Sequence, residues 1–128
     1  AGGNSAKGGY ECAERILRTG YADAIFAYSD LCAIGVMRAL LKNRVAIPDG
    51  VKLVGFDNMP FSAFLPVSLT TVAQPVHELV DAALEMLSAR LSALDAPPQR
   101  RVLKTSLILR ESAPVDDHSL KRKIFSET

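Results

Sequence analysis

Residues 23–44 read DAIFAYSDLCAIGVMRALLKNR, and residues 47–58 read IPDGVKLVGFDN. In each stretch a short, continuous apolar run ends in a polar pair. The run from Ala24 to Tyr28 has the compact character of a strand covered on both faces. Ser29 and Asp30 then supply N-cap chemistry, with Asp30 read as part of that cap. Leu31, Ile34, Met37, Leu40 and Leu41 follow at helical spacing, which predicts a helix of about three and a half turns. After a turn at Ile47 to Gly50, Val51 to Phe56 forms a second compact strand, closed by Asp57 and Asn58.

Working outward, the same alternation continues. The first nine residues are Gly-rich and polar and read as a loop, with Gly2-Gly3 and Gly8-Gly9 as flexible connectors. Tyr10, Ala13, Ile16 and Leu17 mark one face of a helix that Gly20 stops. Downstream, Met59 to Ser68 holds two prolines among large apolar residues, so an irregular packed loop is expected. Leu69 to Gln74 is β-branched enough for a strand, and Pro75 suits a first helical position. Val76, Val80, Ala83, Leu84, Leu87 and Leu91 keep helical time until Pro97-Pro98. Arg101 to Leu109 is the last expected strand, and residues 114–128 read as a tail. Helices alternating with compact strands predict an α/β fold, a mostly parallel sheet wrapped by helices on both faces.

Bulk properties exclude several function classes. The chain has 128 residues, 48% hydrophobic and 23% charged, with a net charge of +1. That describes an ordinary globular domain with one core. Charges that cancel do not supply the basic face that holds nucleic acid, and Lys121, Arg122 and Lys123 read as a solvated tail. No apolar run approaches the ~20 residues of a membrane span, and the opening residues lack the pattern of a secretion signal, so a cytoplasmic location is expected. Cys12 and Cys32 lie in predicted helices without metal-ligand spacing and read as reduced, small apolar residues. No metal or cofactor is expected. There is no nucleophile elbow, no zinc-protease motif and no glycine-rich phosphate loop. His77, beside Glu78, and His118, in the tail, lack the neighbours that acid or base catalysis needs, so no catalytic residue is assigned.

In sheets of this kind ligands bind beyond the carboxyl ends of the strands. Three strand ends carry polar groups: Ser29 with Asp30, Asp57 with Asn58, and Gln74. Asp57 could be a turn residue bonded to its own backbone, and Gln74 could simply close a strand. As a set, a carboxylate and neutral hydrogen-bonding groups suit a small polyhydroxylated molecule, because a carboxylate accepts two hydroxyls at once in strong, charge-assisted bonds.

These residues resemble a known family. Residues 23–44, IPDGVKLVGFDN, LPVSLTTVAQP and LILRESA match, in order and spacing, the C-terminal half of the LacI/GalR repressors over about residues 5 to 113; VGFDN followed by LTTV-x-QP is the most specific part. The resemblance implies a periplasmic-binding-protein-like lobe, incomplete here, with an effector held between two similar lobes. It implies effector contacts at Asp57 and Gln74, and at the positions of Ser29 and Asn4. Asparagine is common at the first of these two and a stacking aromatic at the second, so the departures leave room for a different or more polar effector. The segment 75–105 would belong with the N-terminal lobe, and residues 1–113 as a whole with an effector-binding and dimerisation domain. Dimerisation is implied through Ile34, Met37, Arg38 and Phe64, although Ile34 and Met37 read equally well as core. DNA contact is implied only through a helix-turn-helix head that these residues do not match. The uncovered stripe on the segment from His77 to Leu94 points to a second chain, with helix exchange in a homodimer as one arrangement. A solute-binding protein of a sugar transporter shares the fold and is the alternative reading.

Overall fold

A computed structural model describes residues 3–20 and 22–115. The expected tail beyond residue 115, with His118 and the basic cluster, lies outside the described residues. The elements are α1 (Ala6–Thr19), β1 (Ala24–Phe26), α2 (Asp30–Lys42), β2 (Lys52–Phe56), a 3-10 turn (Pro60–Ala63), β3 (Thr70–Ala73), α3 (Val76–Ser92) and β4 (Ser106–Ile108). Their order is the expected one. The strands lie side by side as β1-β2-β3-β4. The first two pairings are parallel and the last is antiparallel. The fourth strand is shorter than expected, because only Ser106 to Ile108 run opposite the backbone of Thr71 to Ala73.

The core lies between the sheet and α2. Ala33, Val36, Met37 and Leu40 from the helix meet Leu53 from β2 and Leu69, all nearly or fully buried. Alternation along β2 turns Leu53 and Gly55 inward and leaves Lys52 exposed. Helix α1 packs on α2 rather than on the sheet, with Ala13, Tyr10 and Leu17 reaching the core. The two helices thus form one layer, and the expected cover on both faces is not seen. On the opposite face Phe26 is largely exposed.

The reading of Gly8-Gly9 as a connector is corrected. Both residues are buried inside α1, which begins at Ala6 behind an N-cap at Ser5 whose hydroxyl accepts from Gly8 N–H at 3.0 Å. The reason is a close backbone approach. A Cβ on Gly9 would fall on the Cys32 carbonyl, and one on Gly35 on the Ala6 carbonyl, far inside van der Waals distance in both cases. The absence of a side chain at these two positions sets the separation of α1 and α2.

Helix α3 carries the expected stripe, and Ala82 is its one buried residue. Val76, Val80, Leu84, Leu87 and Leu91 are all exposed. An ion pair from Arg101 to Glu85 at 2.6 Å holds the returning chain against the helix. Pro75 stands at the cap position and the helix starts one residue later, an offset typical of helix ends.

Gly35→Ala should destabilise the fold by about 1–3 kcal/mol, because the obstructing atom is backbone and cannot rotate away. Gly20→Ala, with open space around the new methyl, should stay within about 0.5 kcal/mol of the parent. Urea midpoints of the two variants check this; equal midpoints would show that the helices separate freely.

Candidate functional site

The carboxyl ends of β1, β2 and β3 form one rim, since the three strands are parallel neighbours. Asp57 and Gln74 meet there: Gln74 Nε2 donates to Asp57 Oδ1 at 2.8 Å. Both side chains are half-buried, so the second carboxylate oxygen and the amide oxygen remain as polar groups at the rim. At the β1 end, Ser29 Oγ donates to Asn4 Oδ1 at 2.6 Å and accepts from Cys32 N–H at 3.2 Å. Ser29 is therefore both the cap of α2 and the anchor of Asn4, which is exposed just ahead of α1. Four residues singled out in the sequence thus form two hydrogen-bonded pairs at one end of the sheet.

The turn that presents Asp57 is unusual. Asp57 has φ of 110° and Asn58 has φ of 52°. Non-glycine residues in such conformations cost on the order of 1–3 kcal/mol each and persist only where surrounding contacts over-determine them. Asp57 N–H donates to the Val72 carbonyl at 2.9 Å. Asn58 N–H donates to Thr71 Oγ1 at 3.3 Å and Met59 N–H to Asp30 Oδ2 at 2.8 Å. Arg110 donates through Nη2 to Asn58 Oδ1 at 2.8 Å and through Nη1 to the Leu69 carbonyl at 2.7 Å. Every residue of the turn is thereby held from β3, α2 or the end of β4.

Asp30 is not the cap it resembles in sequence. Ser29 performs that function, and Asp30 is fully buried. Its Oδ2 also accepts from Ser62 Oγ at 2.5 Å, and its Oδ1 from Thr71 Oγ1 at 2.6 Å. Arg110 carries no local signal of its role either; its partner Asn58 is 52 positions away in the chain, which no local pattern reveals. Ser112 has a similar long reach, bonding Leu53 and Thr70 at the opposite end of the strands.

Of the four residues expected on a dimer face, Phe64 is 86% exposed and Arg38 is exposed, while Met37 is only 2% exposed within a single chain. Met37 therefore belongs to the core and can add little area to any interface. Ile34 is half-buried beside a groove of about 470 Å³ that Leu41, Leu65 and Pro66 also line. One aromatic was overlooked: Tyr28, immediately before Ser29, is 76% exposed at the rim end of β1.

Glu111 is held below the usual carboxylate range by the N–H and then the hydroxyl of Ser68. Lys42 is held above its ordinary value, first by its hydrogen bond to the Tyr10 hydroxyl. Among the described residues no group of His, Cys, Asp and Glu could hold a metal ion, and no helix is long and apolar enough to cross a membrane.

A mostly parallel sheet with a carboxylate and amides at its carboxyl rim is the arrangement in which α/β proteins hold small molecules. Residues 1–113 match the model of the periplasmic binding protein-like domain. The ribose operon repressor of Halalkalibacterium halodurans is 35% identical over 97 residues, covering 76% of this chain and 29% of that protein. This chain thus spans less than a third of that relative's length. Among solved structures, a LacI family transcriptional regulator from Enterococcus faecalis V583 with bound ribose is 32% identical, with a TM-score of 0.76 over 86% of this chain and 41% of that one. Another, from Lactobacillus casei with bound sucrose, is 35% identical, with a TM-score of 0.71 over 85% of this chain and 41% of that one. The chain belongs to the periplasmic-binding-protein-like domain family, in the form carried by LacI-family transcriptional regulators.

Arg110→Ala should lower stability by about 1–3 kcal/mol, since it strips partners from the Leu69 carbonyl and the Asn58 side chain. Arg110→Lys should recover only part of this, because an ammonium cannot span both acceptors as a planar guanidinium does. Denaturant unfolding of both variants tests the point, and full recovery by lysine would contradict it.

Proposed function

We propose that the chain is the effector-binding and dimerisation part of a LacI-type regulator, recognising a small sugar-like molecule. The observation that carries this reading is the Asp57–Gln74 pair on a strained, over-determined turn at the rim. A protein that only needed a loop here would have no reason to hold an aspartate at φ of 110°. Asp57 accepts effector hydroxyls, Gln74 orients it and adds an amide oxygen, and Asn4, anchored by Ser29, contributes from the neighbouring strand end. Relatives with bound ribose and bound sucrose support a sugar as the class of ligand.

The activity is binding and signalling rather than catalysis, in the cytoplasm. The effector favours one arrangement of the lobes over the other and shifts the population accordingly. DNA contact belongs to a head segment outside these residues. The dimer face is formed by Ile34, Arg38 and Phe64, with Met37 beneath it. The stripe on α3 is covered by a second copy of the chain, consistent with assignment of 75–105 to a separate lobe. Burying a Leu or Val stabilises by roughly 1.5–3 kcal/mol, so five such residues left in water would be costly.

Titrating the chain with D-ribose, sucrose and glucose while following its melting temperature tests the effector assignment. A ligand at 100 times its dissociation constant stabilises by about 2.7 kcal/mol. At least one sugar should raise the midpoint of the parent, and Asp57→Ala should abolish the rise; a parent that ignores all three sugars would defeat the assignment. Dimerisation is checked separately by sedimentation. Phe64→Glu should shift the protein toward monomer, and a sedimentation coefficient unchanged from a dimeric parent would remove Phe64 from the interface.

A further inference from the structure

We infer that Asp30 is a positioning residue for the rim carboxylate: its buried side chain holds the Asp57–Asn58 turn in register and ties that turn to the first residue of α2. The inference rests on the preceding reading only where it concerns effector affinity; the mechanical part stands on this geometry alone.

A carboxylate taken wholly out of water loses several kcal/mol of hydration. Capping α2 does not require that loss, because Ser29 already accepts from Cys32 N–H. The helix N-terminus favours a negative charge at Asp30, but it would do so equally at the surface. What burial adds is reach. The carboxylate accepts from Met59 N–H, Ser62 Oγ and Thr71 Oγ1, which belong to the loop after β2, the 3-10 turn and β3. Gly55 on β2 makes room for it, since a Cβ there would run into Asp30 Oδ1.

Two of these donors act directly on the turn. Met59 N–H is the first amide after the two positive-φ residues, so the Asp30 bond fixes the exit of the turn, as the Val72 carbonyl fixes its entry. Thr71 works as a relay. Its hydroxyl has one hydrogen, which goes to Asp30, leaving its lone pairs for Asn58 N–H. Without the carboxylate the hydroxyl rotor loses the acceptor that orients it. The third donor, Ser62, binds the same oxygen as Met59 without touching the turn, and so serves as an internal control.

The test is backbone amide exchange followed residue by residue in Thr71→Val, Ser62→Ala, Asp30→Asn and Asp30→Ala. Thr71→Val keeps the shape and removes the relay. It should speed exchange at Asn58 by about tenfold beyond any acceleration shared by Leu53 and Leu69, the scale of one hydrogen bond near a charged group. Ser62→Ala should leave Asn58 as in the parent. Asp30→Asn keeps an oxygen for Met59 and can donate to Thr71, so it should retain Met59 protection that Asp30→Ala loses. If Asp30→Ala does not fold, Thr71→Val and Asp30→Asn still decide the matter. Acceleration at Asn58 in Thr71→Val no greater than that at Leu53 and Leu69 would overturn the inference. In the same variants, whichever of D-ribose, sucrose and glucose stabilises the parent should bind Thr71→Val about tenfold more weakly than the parent. Unchanged affinity alongside accelerated amides would overturn the positioning role. A parent that ignores D-ribose, sucrose and glucose alike would instead count against the effector assignment, while the exchange data still decide whether Asp30 holds the turn.

Discussion

Withdrawing the Asp30 carboxylate from water costs several kcal/mol of hydration, and much of the surrounding architecture offsets it. Three donors converge from three separate segments, and a glycine on β2 leaves the space that a side chain would fill. Because the carboxylate belongs to the first residue of α2, each of those segments is also fastened to the helix. The loop from Met59 to Ser68 has little regular structure, yet it is pinned at its start by Asp30 and near its end by a bond from Leu69 N–H to the Ser62 carbonyl. Shape at the rim therefore depends on a group that a ligand need never touch.

A second constraint works on the outer layer. Helices α1 and α2 approach until backbone meets backbone at Gly9 and Gly35, and Asn4 reaches Ser29 just ahead of α1. Small residues here bring an exposed amide to the neighbouring strand end, so helix packing and rim chemistry are one problem. The far side of the molecule differs. Within a single chain Phe26, Tyr28 and the stripe on α3 are exposed, more apolar surface than a domain that stands alone usually leaves uncovered.

Element order, the parallel sheet and the strand-end residues were legible in the sequence because they depend on local periodicity and on which residues follow each apolar run. The same local signals misled where tertiary contact decides. Gly8 and Gly9 look like a connector until the Cys32 carbonyl lies against them. Asp30 looks like a cap because capping is a short-range pattern, whereas its burial depends on Ser62 and Thr71, more than thirty residues away. Met37 keeps helical time with both core and surface neighbours, and periodicity alone cannot say which side it takes. Arg110 follows the last strand, and nothing nearby announces that its guanidinium spans Leu69 and Asn58.

Asp30 also gives the regulatory reading a physical route. Coupling between two sites requires an element whose arrangement both sites bias. Helix α2 begins at Asp30, which holds the Asp57 turn, and one to two turns later carries Ile34 and Arg38 toward the proposed dimer face. The 3-10 turn that supplies Ser62 to the same carboxylate is capped at its end by Phe64, the most exposed large apolar residue of that face. If a ligand engages Asp57 as proposed, a change in the turn either stretches the hydrogen bonds at Asp30 or moves α2 and the 3-10 turn with it. Strong bonds to a buried charge resist stretching, so movement of those two elements is the softer response, and it is directed at the surface where a second chain would feel it.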